Sequence, residues 1–143
     1  MLPKFQVFSD GGSRGNPGPS GAGWLIKKEG KVIQKGRKFL GVQTNNYAEY
    51  SALLFAIHEL RVLCSITEDS LCFQKEEVEF FLDSELIVKQ LKGEYKVKNK
   101  GLKPLYEKAM RGLDDFEWSA IHILREKNTE ADALANMAMD ERF

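Results

Sequence analysis

A segment with helical periodicity, residues 46–63, lies between three strand-like runs and a fourth, and this order restricts the fold more than any other feature of the chain. Residues 4–9 alternate Phe5, Val7 and Ser9 against Gln6, Phe8 and Asp10, the period of a strand. A dense turn segment, Gly11 to Pro19, follows. Residues 21–28 and 31–40 form two further strands, joined as a hairpin at Gly30. In the long helix Ala48, Ala52, Phe55, Ala56, Leu60 and Leu63 recur at helical spacing, with Thr44 or Asn45 as the cap. A polar loop runs to about residue 76, and residues 77–83 form the fourth strand. A helix over 84–92 starts at Ser84 and stops at Gly93. A helix over 102–113 takes Pro104 in its first turn. A strand over 116–124 and a helix over 128–140, capped by Asn128 or Thr129, complete the order. Strands one and four, with a helix crossing between them, pair in parallel. The expected fold is α/β: a mixed five-stranded sheet with helices on both faces, one domain over residues 1–143.

That fold places acids at one edge. Asp10 is expected to end strand one and Asp83 to end strand four, so parallel neighbours present both carboxylates at the edge where open α/β sheets bind ligands. Glu49, near the start of the long helix, and Asp132, early in the last helix, can reach the same edge. Each has a plainer reading: a turn or cap for the two aspartates at strand ends, and compensation of a helix dipole for Glu49 and Asp132. Only their convergence points to chemistry. Gathered carboxylates repel, and some must stay protonated unless cations neutralise them. Mg²⁺ takes oxygen ligands from few carboxylates plus substrate phosphate. Two such ions, ~4 Å apart, serve phosphodiester cleavage.

The remaining composition sets limits. No apolar run approaches the ~20 residues of a membrane span, so no membrane partner is expected. Met1-Leu2-Pro3-Lys4 leads straight into a strand, so no signal peptide and a free-standing protein are expected. Cys64 and Cys72 are expected as thiols in a reducing cytoplasm, and no ligand pair has zinc-site spacing. Net charge is zero, but Lys89, Lys92, Lys96, Lys98, Lys100 and Lys103 crowd one stretch, opposed only by Glu94. Such a run is either a solvated face or a phosphate-contact surface.

Four motifs in order then resemble the type 1 ribonuclease H family. They are Phe8-Ser9-Asp10-Gly11-Gly12-Ser13-Arg14-Gly15-Asn16-Pro17-Gly18, then Thr44-Asn45-Asn46-Tyr47-Ala48-Glu49, then Leu82-Asp83-Ser84 with Val88-Lys89-Gln90. The fourth runs from Arg125-Glu126-Lys127-Asn128 through Ala131-Asp132-Ala133-Leu134-Ala135-Asn136. The resemblance covers nearly the whole chain. It implies the ribonuclease H-like fold and an endoribonuclease that cuts the RNA strand of RNA–DNA hybrids with two Mg²⁺ ions (Mn²⁺ as a substitute), leaving 5′-phosphate and 3′-hydroxyl ends. Asp10, Glu49, Asp83 and Asp132 would be catalytic and metal-binding. Gly11, Gly12, Asn16, Asn45 and Asn46 would follow the minor groove and touch RNA 2′-hydroxyls, the groups that distinguish RNA from DNA. Thr44 and Asn99 would hold a DNA-strand phosphate. Ser84 stands beside the third acid, with an N-cap as its other reading. His122 and Arg125 would assist turnover or product release, or else be a packed histidine and a phosphate- or acid-pairing arginine.

One departure is visible. Many members of that family carry a longer basic helix-and-loop after the fourth-strand helix, and the stretch from Lys92 to Lys100 is too short for it. The lysines there would replace part of its phosphate contacts, with a weaker grip on substrate than in extended relatives. Double-stranded RNA is a second candidate substrate, and the expected state is a monomer. The competing readings are another nuclease with the same acid cluster and a catalytically silent binding module.

Overall fold

The computed structural model describes residues 4–66 and 75–142. Cys72, and the residues before Lys4 on which the absence of a leader was read, lie outside this range. The strands are β1 (Phe5–Ser13), β2 (Gly18–Lys28), β3 (Lys31–Gln43), β4 (Glu77–Leu82) and β5 (Glu117–His122). The helices are α1 (Asn45–Leu63), α2 (Glu85–Leu91), α3 (Lys103–Leu113) and α4 (Thr129–Glu141), with a 3-10 turn at Arg125–Lys127. The sheet order is β3-β2-β1-β4-β5. β1 pairs antiparallel with β2, and β4 pairs in parallel with both β1 and β5. The mixed sheet expected from the crossover is therefore present.

Alternation along β1 and β2 divides the core in two. Val7, Trp24 and Ile26 point toward α1, in a cluster that takes in Leu53, Ile57, Phe80 and Leu113. Phe8 and Leu25 point the other way, against Ala131 and Leu134 of α4. Helices thus cover both faces. Glycine permits the close approach on each side. A Cβ on Gly11 would overlap the backbone of Ala48 and Glu49, and one on Gly23 would overlap the carbonyl of Ala131. No side chain larger than hydrogen fits there, so both helices lie directly on the strands.

The turn expected over Gly11–Pro19 is much shorter. β1 continues through Asp10 to Ser13, and β2 starts at Gly18, because Asp10↔Gly23 through Ser13↔Ser20 remain in register. Ladder pairing overrides the weak strand propensity of the Gly-rich stretch. Asp10 is therefore inside β1 rather than at its end. The parallel pairing with β4 nevertheless stops at Phe8↔Phe81. From Ser9 onward one flank of β1 is open, and the site forms there.

Candidate active site

Asp10, Glu49 and Asp83 come together at that flank, each offering a carboxylate oxygen within 4.8 Å of the others. Asp10 is supplied by β1. Asp83 directly follows β4. Glu49 is carried on α1, whose start Thr44 fixes by accepting a hydrogen bond from Tyr47 N at 3.2 Å. Glu49 falls beyond the first turn of α1, which contains no acid, so the dipole reading for it does not apply. Asp132, in the first turn of α4, lines the same cavity of 610 Å³ and interacts with the Asp10 carboxyl, but stands outside the triad's 4.8 Å grouping.

The electrostatics are those of crowded acids removed from water. Asp10 is 6% exposed and Glu49 7%. Burial first, then the charge of Asp83, pushes Asp10 up to about 8. Burial and then Asp10 and Asp83 hold Glu49 well above the usual carboxylate range, with a hydrogen bond from the Gly11 backbone opposing. Oε2 of Glu49 is buried and has no hydrogen-bond partner. An orphaned acceptor beside two further carboxylates fits a hard divalent cation, which supplies the missing charge and takes oxygen ligands.

The expected groove residues divide. Gly11, Gly12, Asn45, Asn46, Ser84 and Arg125 line the cavity. Asn45 also bridges two elements: its side-chain oxygen accepts from Ser13 N at 2.9 Å, and its own N donates to Asn16 Oδ1 at 3.1 Å. Asn16 thereby locks the β1–β2 turn to the start of α1. Ser84 caps α2, accepting from Ile87 N at 3.3 Å, so its capping reading holds alongside its place in the cavity wall. Thr44 and Asn99 stand apart from the cavity lining. Asn99 is exposed, and its side-chain oxygen accepts from Gly101 N and Leu102 N at the start of α3. His122 is not drawn into the cluster. It ends β5, exposed.

Three polar side chains of this region carry no site role from sequence, where Asn128 stands only as a cap of the last helix. Arg14 lines the cavity and pairs with Asp140 at 2.6 Å. Asn136 lines it and donates to the Asp132 carbonyl at 3.0 Å. Asn128, 1% exposed, donates to the Ser9 carbonyl at 3.0 Å and to Asp83 Oδ2 at 3.1 Å. All three lie inside motifs already singled out. The available signal was an amide or guanidinium within four residues of an acid or a glycine turn, a spacing too common to select them.

Lys92, Lys96, Lys98, Lys100 and Lys103 are exposed and form no ion pair among the described residues. Lys89 instead pairs with Glu85 at 2.9 Å and lies 5.0 Å from the Tyr95 ring centre. Val97 packs against the core and pins the loop. Among the described residues no helix is long and apolar enough to cross a membrane.

The sheet order and the acid-lined flank define the ribonuclease H-like class of α/β folds. Comparison with known proteins narrows this. The family model described as Reverse transcriptase-like matches residues 8–138. Ribonuclease HI of Halobacterium salinarum is 36% identical over 96% of this chain and 65% of its own length. Ribonuclease H of Hydrogenovibrio crunogenus is 31% identical over 98% of each chain. Among solved structures, LC11-RNase H1 in complex with an RNA/DNA hybrid superposes with a TM-score of 0.86 at 39% identity, covering 97% of this chain and 99% of that one. The chain belongs to the type 1 ribonuclease H family. It spans 65% of the Halobacterium relative, and 36% of the 35%-identical Bifunctional protein Rv2228c of Mycobacterium tuberculosis.

Proposed function

We propose that this chain is an endoribonuclease of one catalytic domain that hydrolyses the RNA strand of RNA–DNA hybrids and leaves 5′-phosphate and 3′-hydroxyl ends. The observation that supports it most is the triad of Asp10, Glu49 and Asp83 within 4.8 Å, with Glu49 Oε2 buried and unpartnered. With Asp132, these carboxylates would hold two Mg²⁺ ions, or Mn²⁺ in their place. Such ions supply water activation and charge neutralisation at the leaving oxygen.

The chain's own residues do the rest. Gly11 and Gly12 present bare backbone to the ribose edge, and Asn45 and Asn46 stand beside them on the cavity wall. Asn16 holds the turn that keeps Asn45 in place. Thr44, Asn99 and the lysine loop would take DNA-strand phosphates, and Ser84 supports the wall beside Asp83. Arg125, on the cavity wall, would assist turnover or product release, as would His122 at the end of β5. The protein would work as a monomer in the cytoplasm.

The test is a panel of end-labelled substrates in Mg²⁺: hybrid, single-stranded RNA, double-stranded RNA and double-stranded DNA. Internal cuts in the RNA of the hybrid alone are the expected result. Added cutting of double-stranded RNA would widen the substrate class, and intact hybrid binding without cutting in either metal would overturn the reading in favour of a silent binding module.

A further inference from the structure

Asn128 stands where an N-cap would, yet it does not cap. Its backbone is at φ −115° and ψ 32°, away from the extended geometry of an N-cap, and its side chain makes no cap hydrogen bond to α4. The amide instead reaches across the open flank of β1. Its Nδ2 donates to the carbonyl of Ser9, the residue before Asp10, at 3.0 Å, and to Asp83 Oδ2 at 3.1 Å. The Ser9 carbonyl can only accept, so the NH₂ side must face it. The backbone carbonyl of Asn128 accepts from Asp132 N at 3.0 Å. One residue therefore touches the strand that carries Asp10, the carboxylate of Asp83 and the turn that carries Asp132.

This arrangement leaves a cost in place. The side-chain oxygen of Asn128 is buried with no hydrogen-bond partner. An asparagine chosen only to start α4 would have turned that oxygen to the helix N–H groups, as Ser84 does for α2. An unsatisfied buried oxygen and a forgone cap are explained if the demand is on the NH₂ side, at Asp83.

We propose that Asn128 is a positioning residue of the cation site: through Oδ2 it fixes the Asp83 carboxylate beside Asp10 and Glu49, and it ties Asp132 to the same frame. The proposal rests on the reading of this cavity as a divalent-cation site. Hydrogen-bond partners of metal-ligating groups typically carry ~10–100-fold in metal affinity or activity.

Asn128→Ser separates positioning from folding. Serine is a strong N-cap and retains a starter for α4, but its hydroxyl is too short to hold both Ser9 and Asp83. Mn²⁺ binding to the substrate-free protein, followed by electron paramagnetic resonance, should weaken by about 10-fold or more in Asn128→Ser and in Asn128→Ala. At saturating Mn²⁺ the KM for hybrid should stay near that of the parent while kcat falls. The metal-free melting temperature should drop less in the serine variant than in the alanine variant. Parent-like Mn²⁺ affinity in a folded Asn128→Ser protein, whatever its melting temperature, would overturn the positioning role. Asp10→Asn is the independent control: if it too binds Mn²⁺ like the parent, the cavity reading itself has failed, whereas loss in Asp10→Asn with retention in Asn128→Ser rejects Asn128 alone.

Discussion

At the open flank of β1, Asp10 and Glu49 are 6% and 7% exposed and held by packing, with Gly11 seated directly on the backbone of α1. Some residues away along the chain, Lys92, Lys96, Lys98, Lys100 and Lys103 stand in solvent, and their loop is anchored to the core through Val97. Both regions are densely charged. In the first, charge is confined at low dielectric, where a displacement of an ångström changes the chemistry. In the second, charge acts through water, and no single position matters much. Catalysis and substrate grip thus have separate physical bases in this fold, and substitutions should divide them.

The largest division is expected at Asp10. Asp10→Asn should lower hybrid cleavage by at least ~10²–10³-fold at saturating substrate, with hybrid affinity little changed in a gel-shift titration. The same substitution has a signature without substrate. The folded pKa of Asp10, about 8, lies above its ordinary 3.8, so between those values the folded state holds a proton that the unfolded state has released. Its contribution to stability is therefore present at low pH and lost as pH rises through that window. Metal-free parent protein should lose stability from about pH 4 to about pH 8, on the order of a few kcal/mol, and Asp10→Asn should flatten that slope in urea titrations. A steeper slope in the variant would contradict the burial argument.

Gly11→Ala tests the packing side. The added methyl has no room against Ala48 and Glu49, and overpacking of this kind costs ~1–3 kcal/mol by denaturant unfolding. Metal affinity should fall with stability here, because Glu49 moves with α1. The smallest effect belongs to the loop. Lys96→Ala and Lys98→Ala should each weaken hybrid binding uniformly across sequences and lower the salt slope by up to ~1 per lost phosphate contact, with kcat unchanged. An unaltered salt slope would return these lysines to a solvated face.

The fold was legible wherever apolar periodicity decided it. α1 and the buried alternation of β4 are where residues 46–63 and 77–83 were expected, and the crossover between β1 and β4 follows from the helix that separates them. The course of β1 past Asp10 was not legible, because Gly11 and Gly12 read locally as turn, and only the ladder with β2 keeps them extended. The four acids could be named from spacing and motif. Their inequality could not: Glu49 is set by the contact of Gly11 with α1, and Asp132 stands outside the grouping of the other three. Asn128 was hidden for the same reason. Its partners, Ser9 and Asp83, are 119 and 45 residues away, so in the sequence it shows only a capping residue.

Single-turnover cleavage of an end-labelled RNA–DNA hybrid, by parent protein and Asp10→Asn, each with Mg²⁺ and with EDTA, tests the central claim most directly. Internal cuts in the RNA strand by the parent with Mg²⁺, absent in the other three reactions, are the predicted result. Cleavage that survives in a contaminant-free Asp10→Asn preparation, or in EDTA, would contradict a cation-dependent site built on Asp10, Glu49 and Asp83.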